Sequence, residues 1–190
     1  RSSASSVFYY CHSQCNKKNI VIIAGVDEVG RGCLAGPVTA AAVILMNPIL
    51  QLKDSKQISP SRREILSKKI KRDSVYSFAS VSNCKIDEIN IHQATLLAMQ
   101  EAIMNLSIKP DLVYVDGKFT PNIRINCEAV IGGDKLIPEI SAASIIAKVH
   151  RDKSMIQLDK QFPIYDFAKN KGYGTAYHLD ALKKSGYTSY

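Results

Sequence analysis

The chain has 190 residues, enough for one packed domain, and carries a formal net charge of +8 with a pI of about 9.2. A hydrophobic content of 46% excludes wholesale disorder. The longest apolar runs, VIIAGV and VTAAAVILM, are far shorter than the roughly 20 residues of a spanning helix, so we expect no membrane partner. The positive charge favours nucleic acid as the partner.

The N-terminal residues, RSSASSVFYYCHSQC, contain no apolar core of a signal peptide, and we predict a flexible leader over 1–19. Five scattered cysteines indicate reduced thiols in a cytoplasmic protein rather than a disulfide framework. Cys11, His12 and Cys15 lack a second metal half-site at usable spacing. Residues 20–190 are predicted to form one domain, and we expect a monomer.

The first half of this domain is predicted to begin with two strands. The β-branched run IVIIAGVDE over 20–28 and PVTAAAVILM over 37–46 are close enough in sequence to pair antiparallel. Ser59 as an N-cap and Pro60 at the first helical position predict a helix to about Arg72. The alternating segment SVYSFASVS predicts a third strand.

The second half is predicted to alternate strands and helices. A helix from about Ile86 or Asp87 to Leu106 precedes a strand, DLVYVDG, and then a fifth strand ending at IGGD. A long helix starts near Pro138, and a short one covers TAYHLDALKKSG. Strands first and alternation later predict an α/β fold with a five-stranded mixed sheet flanked by helices.

Four acids lie at strand ends or glycine turns: Asp27, Glu28, Asp116 and Asp134. Taken singly, each fits a strand terminator or a turn cap. The recurrence favours function, because Asp27 and Asp116 converge if the first and fourth strands are neighbours. Close carboxylates repel, and hard cations such as Mg²⁺ relieve that repulsion. Two such ions about 4 Å apart would stabilise both the attacking and the leaving oxygen of a phosphoryl displacement. The acids, together with the basic chain, therefore suggest metal-dependent cleavage of a phosphodiester.

Asp27 and Glu28 present a local difficulty, because adjacent side chains on a regular strand point to opposite faces. We therefore predict that the first strand ends at about Asp27, helped by Gly30 and Gly32. A regular ladder running through Val29, with Glu28 turned away from Asp27, would remove Glu28 from the site.

The segment GRGCLAG lacks the ending of a phosphate-binding P-loop and the spacing of a dinucleotide fingerprint. Its glycines bring bare backbone close to a ligand, and Arg31 suits a forked contact with a phosphate or a sugar edge.

Six segments in register carry a family resemblance: AGVDEVGRG with GPV, LKDSKQIS, DEINIHQATLLAM, VDG, GGDKLIPEISAASIIAKVHRD and KGYGTAYH. Together, over about 20–187, they resemble bacterial type 2 ribonuclease H, the ribonuclease HII family. The resemblance implies an RNase H-like fold with a C-terminal helical extension. It also implies endonucleolytic cleavage of RNA in RNA–DNA hybrids and of single ribonucleotides in duplex DNA, 5′ to the ribonucleotide, in DNA replication and ribonucleotide excision repair. The implied products carry 3′-hydroxyl and 5′-phosphate ends.

The resemblance also assigns roles to residues. Asp27, Glu28, Asp116 and Asp134 match the acids that bind two divalent cations, Mg²⁺ or Mn²⁺. Gly30, Arg31 and Gly32 match the motif that contacts the 2′-hydroxyl, which distinguishes RNA from DNA. Tyr173 matches a tyrosine that senses the RNA–DNA junction, and Lys56 a lysine on the phosphate side.

Two departures from the family stand out. Cys33 replaces a frequent proline or alanine, and we expect little effect. The family usually continues past SGYTSY into a basic segment, and we expect part of the substrate affinity to depend on that segment.

Several other residues have competing interpretations. Ser141 and Ser144 fit close helix packing or a phosphate contact, and Lys148 fits the site or an ion pair with an acid. Arg151 and Asp152 are expected to be structural, for instance a buried pair, although Asp152 is also the strongest rival to Asp134 as a ligand. His92, His150 and His178 are expected at the surface or the edge of the core.

Two further hypotheses stay open at this point. One is another two-metal nuclease of the same fold, of the junction-resolvase type, which all-DNA junctions would distinguish from hybrid substrates. The other is a catalytically silent hybrid-binding protein, which would bind without cleaving.

Overall fold

The structure, a computed structural model, describes residues 21–49, 52 and 58–190. The predicted leader over 1–19 and Lys56 lie outside the described residues. The elements are β1 (Ile23–Val29), β2 (Val38–Leu45), α1 (Pro60–Asp73), β3 (Ser74–Val81), α2 (Asn83–Met104), β4 (Leu112–Asp116), β5 (Asn126–Val130), α3 (Gly133–Leu136), α4 (Pro138–Gln161), a 3-10 turn (Pro163–Tyr165), α5 (Phe167–Asn170) and α6 (Ala176–Ser185).

The five strands form one mixed sheet in the order β3-β2-β1-β4-β5. β1 pairs antiparallel with β2, and β2 antiparallel with β3, as short connections allow. β1 pairs parallel with β4, and β4 parallel with β5. The predicted five-stranded mixed sheet is confirmed, and so is the proximity of the first and fourth strands on which convergence of the acids depends.

The prediction that β1 ends at Asp27 is wrong. On the β2 side the ladder continues through Glu28, opposite Ala40, to Val29, opposite Thr39. On the β4 side the pairing runs only to Val26, opposite Val115. One edge of β1 is therefore open beyond Val26 while the other edge keeps the strand regular.

Helices cover both faces of the sheet. The α2 face packs a cluster that includes Val26, Ala98 and Ile103, whereas α1 and α4 cover the other face around Ala41, Ile70 and Ile146. Gly25 lets the start of α4 cross β1 directly, because a Cβ there would collide with the backbone of Glu139 and Ile140. This close approach places the next turns of α4 over the end of β1.

Helix starts follow the capping residues. Ser59 accepts from the backbone N–H of Arg62 at 3.4 Å, which confirms the predicted start of α1. α2 begins at Asn83, capped by Ser82, earlier than predicted. Its backbone breaks at Asn90 (φ 66°), whose side chain accepts from the N–H groups of His92 and Gln93 and so caps the longer second part.

The chain ends in a small helical layer with its own core of Tyr165, Phe167 and Ala181, packed against Met155 of α4. The Tyr165 hydroxyl donates to the Gly186 carbonyl at 3.0 Å and ties α6 to the 3-10 turn. The predicted C-terminal helical extension is confirmed. Among the described residues, no helix is both long and apolar enough to cross a bilayer.

Candidate active site

A cavity of about 400 Å³ opens at the carboxyl ends of β1 and β4. Five parts of the chain border it: the end of β1 with the following glycine loop, the end of β4, α1, the face of α4, and Tyr173 from the segment before α6. The lining residues are Asp27, Glu28, Val29, Gly30, Arg31, Gly32, Arg63, Asp116, Ser144, Ile145, Lys148 and Tyr173.

The parallel register places Asp27 and Asp116 side by side, since each follows directly on the pair Val26 and Val115. Asp27 is 5% exposed. Burial raises the pKa of Asp27 well above its usual range, and the negative charges of Glu28 and Asp116 raise it further. Carboxylate charge is thus concentrated in a place where water screens it poorly.

Glu28 remains at the cavity although β1 is regular. Its side chain is 18% exposed, and its carboxylate lies 3.7 Å from the Arg31 guanidinium. Because β1 has no β4 partner beyond Val26, side chains from either face of the last residues of β1 can border the open edge. Glu28 therefore lines the cavity although the ladder with β2 runs through Val29.

Asp134 lies behind the cavity rather than in its wall. It belongs to α3 and is 2% exposed. The neighbouring Gly133 donates its N–H to the Asp116 carboxylate at 2.8 Å, so α3 packs against the end of β4. The rival candidate, Asp152, pairs with Lys148 of the same helix at 2.9 Å.

The two serines of α4 separate into different roles. Ser144 lines the cavity, and its hydroxyl forms a hydrogen bond with Asp27 that lowers the pKa of that carboxyl. Ser141 is buried and donates to the Leu52 carbonyl, and it is not part of the cavity lining. Ser144 orients an acid, whereas the position of Ser141 gives no support to a phosphate contact.

The glycine loop after β1 depends on backbone that only glycine adopts easily. Gly30 has φ 109°, and a Cβ there would lie 2.6 Å from Arg151 Nε and 2.7 Å from the Pro37 carbonyl oxygen. The Cys33 N–H donates to the Gly30 carbonyl at 3.2 Å and closes the turn. Arg31 and Gly32 are consequently presented at the exposed rim of the cavity.

Arg151 of α4, fully buried, fastens this loop to the Tyr173 segment. Its guanidinium donates to the carbonyls of Pro37 (3.0 Å), Ala35 (3.1 Å) and Lys171 (2.8 Å). The expected buried pair of Arg151 with Asp152 is wrong, because Asp152 pairs with Lys148 instead. One side chain therefore sets the spacing between two cavity-lining segments that are distant in sequence.

Tyr173 is 41% exposed at the cavity and is supported from three sides. Its side chain forms a hydrogen bond with Cys33, and Lys148 Nζ lies 5.8 Å from its ring centroid. His178 contacts the Tyr173 carbonyl through Nδ1 at 2.9 Å. His178 is fully buried, so its expected place at the surface or core edge is wrong. The contact with Tyr173 also argues against the expectation that Cys33 has little effect.

Two cations complete the cavity wall: Arg63 from α1 and Lys148 from α4. Arg63 is one of several basic residues in this part of the sequence, and nothing in the sequence distinguishes it from the others. Only the packing of α1 beside α4 shows that Arg63 is turned toward the cavity.

A mixed sheet in this order, with acidic strand ends beside a cationic rim, defines a hydrolase with an RNase H-like fold. The family model described as Ribonuclease HII matches residues 24–190. A curated Ribonuclease HII of Borrelia recurrentis (strain A1) is 53% identical over 172 residues, covering 88% of this chain and 95% of that protein.

Two solved structures are similar along nearly their whole length. The RNase HII in a PCNA complex from Archaeoglobus fulgidus has a TM-score of 0.75 at 27% identity, covering 89% of this chain and 92% of that one. The ribonuclease H2 of Pyrococcus horikoshii OT3 has a TM-score of 0.74 at 28% identity, covering 87% and 89%. The chain therefore belongs to the ribonuclease HII family, and it is a type 2 ribonuclease H that acts on RNA–DNA hybrids.

Proposed function

We propose that this enzyme cuts RNA–DNA hybrids, and duplex DNA with single embedded ribonucleotides, on the 5′ side of the ribonucleotide. The cut leaves 3′-hydroxyl and 5′-phosphate ends. One observation carries the proposal: Asp27, Glu28 and Asp116 line the same cavity as the glycine loop and Tyr173. Acids suited to phosphodiester hydrolysis are thus adjacent to groups suited to recognising a ribose.

Asp27, Glu28, Asp116 and Asp134 would hold two divalent cations, Mg²⁺ or Mn²⁺, in keeping with the divalent-metal dependence of the family. The fit rests on chemistry, since all are hard oxygen donors and Asp27 is buried beside two other negative charges. Asp134 enters the set through its place beside Gly133, which holds Asp116. When bound, such ions would acidify the attacking water and neutralise charge on the phosphoryl oxygens.

The donor arrangement is compatible with this role. Among residues 21–49, 52 and 58–190, no three His, Cys, Asp or Glu side chains form a ready-made metal cage. Mg²⁺ usually takes one or two carboxylates and completes its shell with water and substrate phosphate rather than with protein alone. An open cavity with carboxylates on one wall suits that mode of binding.

Recognition of the sugar is assigned to the glycine loop and Tyr173. A 2′-hydroxyl both donates and accepts hydrogen bonds, and the backbone at Gly30 and Gly32 can approach it without an intervening side chain. Arg31, with its side chain 46% exposed, suits a forked contact with a phosphate. The exposed ring of Tyr173 would stack on the deoxyribose of the next nucleotide.

The remaining side chains hold these groups in place. Ser144 orients the Asp27 carboxylate, and Arg151 fixes the distance between the glycine loop and Tyr173. Lys56 stays a predicted phosphate contact outside the described residues. Ser141 stays a prediction with no support from its buried position.

The test compares D116N with D111N on a 5′-labelled duplex carrying one ribonucleotide. Asp111 lies at the other end of β4 and accepts from the Ile22 N–H at 2.8 Å, an interaction that asparagine retains. We expect Mg²⁺-dependent cleavage, absent in EDTA, with kcat/KM lowered at least about 100-fold in D116N and unchanged in D111N. Equal rates for D116N and the parent enzyme would overturn the assignment. Cutting of an all-DNA four-way junction in preference to the ribonucleotide duplex would instead support a resolvase.

A further inference from the structure

A second cluster of cationic and aromatic side chains lies on the α1 and α4 face of the sheet, outside the cavity. It consists of Lys71 from α1, Tyr76 and Phe78 from β3, and His150 and Lys153 from α4, and we call it the β3 patch. None of these residues lines the cavity.

The aromatic rings of the β3 patch hold one another and the lysine in place. Phe78 stacks on His150 with ring centroids 4.3 Å apart and an interplanar angle of 13°, and Tyr76 meets Phe78 edge-on at 5.6 Å. Lys71 Nζ lies 5.0 Å from the Phe78 centroid and 5.6 Å from that of Tyr76. The two rings therefore position the ammonium group of Lys71, and neither ring carries a negative formal charge.

Positive charge is in excess around the β3 patch. Burial lowers the pKa of Lys71, and the charge of Lys153 lowers it further. Burial and the charge of Lys71 likewise lower the pKa of His150. Two nearby acids have partners other than Lys71: Glu64 bonds Lys153 of the patch at 2.6 Å, and Asp73 bonds Arg72 at 2.7 Å. An anion placed over Lys71 would relieve this repulsion.

The β3 patch lies on the same face of the sheet as Asp27. Phe78 pairs with Ala41, which pairs with Asp27, so Phe78 is two strand spacings or about 10 Å from the acid. Along α1, Arg63 borders the cavity and Lys71 follows eight residues later, a rise of about 12 Å. A nucleic-acid strand advances about 3.4 Å per nucleotide along its axis, so this distance corresponds to roughly three or four nucleotides.

We propose that the β3 patch binds a backbone phosphate of the substrate duplex, a few nucleotides from the cleaved bond, through Lys71 with support from Lys153. This inference rests on the proposed function, because it takes the bound duplex to be centred on the acid cavity. The rings serve to hold Lys71 rather than to stack on bases, since Phe78 is half-buried and covered by His150. The contact contributes affinity without sequence preference and takes no part in bond cleavage.

The first experiment measures binding by fluorescence anisotropy in EDTA, with an RNA–DNA hybrid, as a function of salt concentration. One lost phosphate contact reduces the slope of log affinity against log salt by about 0.9. We expect that reduction for K71Q, its recovery in K71R, and no change for K109Q, an exposed lysine in the loop between α2 and β4. K153Q, at an exposed position, is expected to weaken binding in the same direction.

The second experiment replaces single phosphates of the hybrid with uncharged methylphosphonates, one position at a time. For the parent enzyme, one position a few nucleotides from the cut should weaken binding, and K71Q should be insensitive at that position only. The proposal would be overturned if the salt slope of K71Q equalled that of the parent enzyme, or if K71Q and K109Q lost the same amount of binding affinity. Absence of Mg²⁺-dependent cleavage by the parent enzyme would instead overturn the proposed function, and the binding data would still decide the role of the patch.

Discussion

The substitution R151K tests whether one buried side chain sets the geometry of the glycine loop and the Tyr173 segment, which line the cavity. Arg151 is fully buried and its guanidinium serves three backbone carbonyls at 2.8–3.1 Å. Lysine keeps the charge, so the desolvation cost of a buried cation is retained and does not obscure the result. A single ammonium lacks the planar fork that reaches three acceptors at once.

The expected magnitude follows from the acceptors that lose their donor. With at least two carbonyls left without one, at about 1–3 kcal/mol each, the free energy of unfolding falls by about 3 kcal/mol. For a chain of this size 1 kcal/mol shifts Tm by about 2–4 °C, so Tm should fall by about 6–12 °C. Well below Tm, kcat/KM on a single-ribonucleotide duplex should also fall at least about 10-fold, because the glycine loop and Tyr173 lose their fixed spacing.

The assay combines thermal unfolding with cleavage kinetics, and R72K is the matched control. Arg72 is exposed and pairs with the adjacent Asp73, an arrangement that contributes about 0–1 kcal/mol. If R151K unfolds within about 2 °C of the parent, less than 1 kcal/mol, and cuts at the same rate, the fastening role of Arg151 is refuted.

Three further predictions concern Asp27, Ser144 and Cys33. Because the pKa of Asp27 is raised, its protonated form stabilises the fold fully below the unfolded-state pKa, and this stabilisation is lost as pH rises through the folded-state pKa. D27N should therefore abolish cleavage yet raise Tm in EDTA at neutral pH, and the gain in Tm should shrink on acidification. A lower Tm for D27N at neutral pH would contradict this. S144A removes a hydrogen bond that lowers the pKa of Asp27, so the acid limb of the plot of kcat/KM against pH should move to higher pH. The control S154A, on the exposed side of α4, should leave the acid limb in place. Superimposable pH profiles for S144A and the parent enzyme would count against the role of Ser144. C33A removes the hydrogen bond between Cys33 and Tyr173 and should reduce the ratio of single-ribonucleotide to long-hybrid cleavage. The control C84A, at an exposed position, should leave this ratio unchanged. Equal ratios for C33A, C84A and the parent enzyme would support the expectation that Cys33 has little effect.

Local sequence signals predicted the framework of the fold. Buried β-branched runs gave β1 and β2, the Ser59 cap gave the start of α1, and the Asp-Gly turn marked the end of β4. The sequence predicted that Asp27 and Asp116 converge only if the first and fourth strands are neighbours, and the parallel pairing of β1 with β4 meets that condition. The strands, the helix start and the turn depend on patterns of a few neighbouring residues, and such patterns can be recognised in a single sequence.

Tertiary contacts explain what the sequence did not predict. β1 continues to Val29 because its ladder with β2 extends three residues further than its ladder with β4, which ends at Val26. The role of Arg151 depends on carbonyls from two distant loops, and that of Arg63 on the packing of α1 against α4. The short helices α3 and α5 are too brief to show a period in the sequence.

The most direct test of the metal site is a titration of Mn²⁺ into the protein without nucleic acid, followed by the loss of the free-ion EPR signal. We expect saturable Mn²⁺ binding by the parent enzyme, unchanged affinity in D111N, and affinity lowered at least about 10-fold in D27N and in D116N. Equal Mn²⁺ affinity in all four proteins would contradict the claim that these strand-end carboxylates hold the ions.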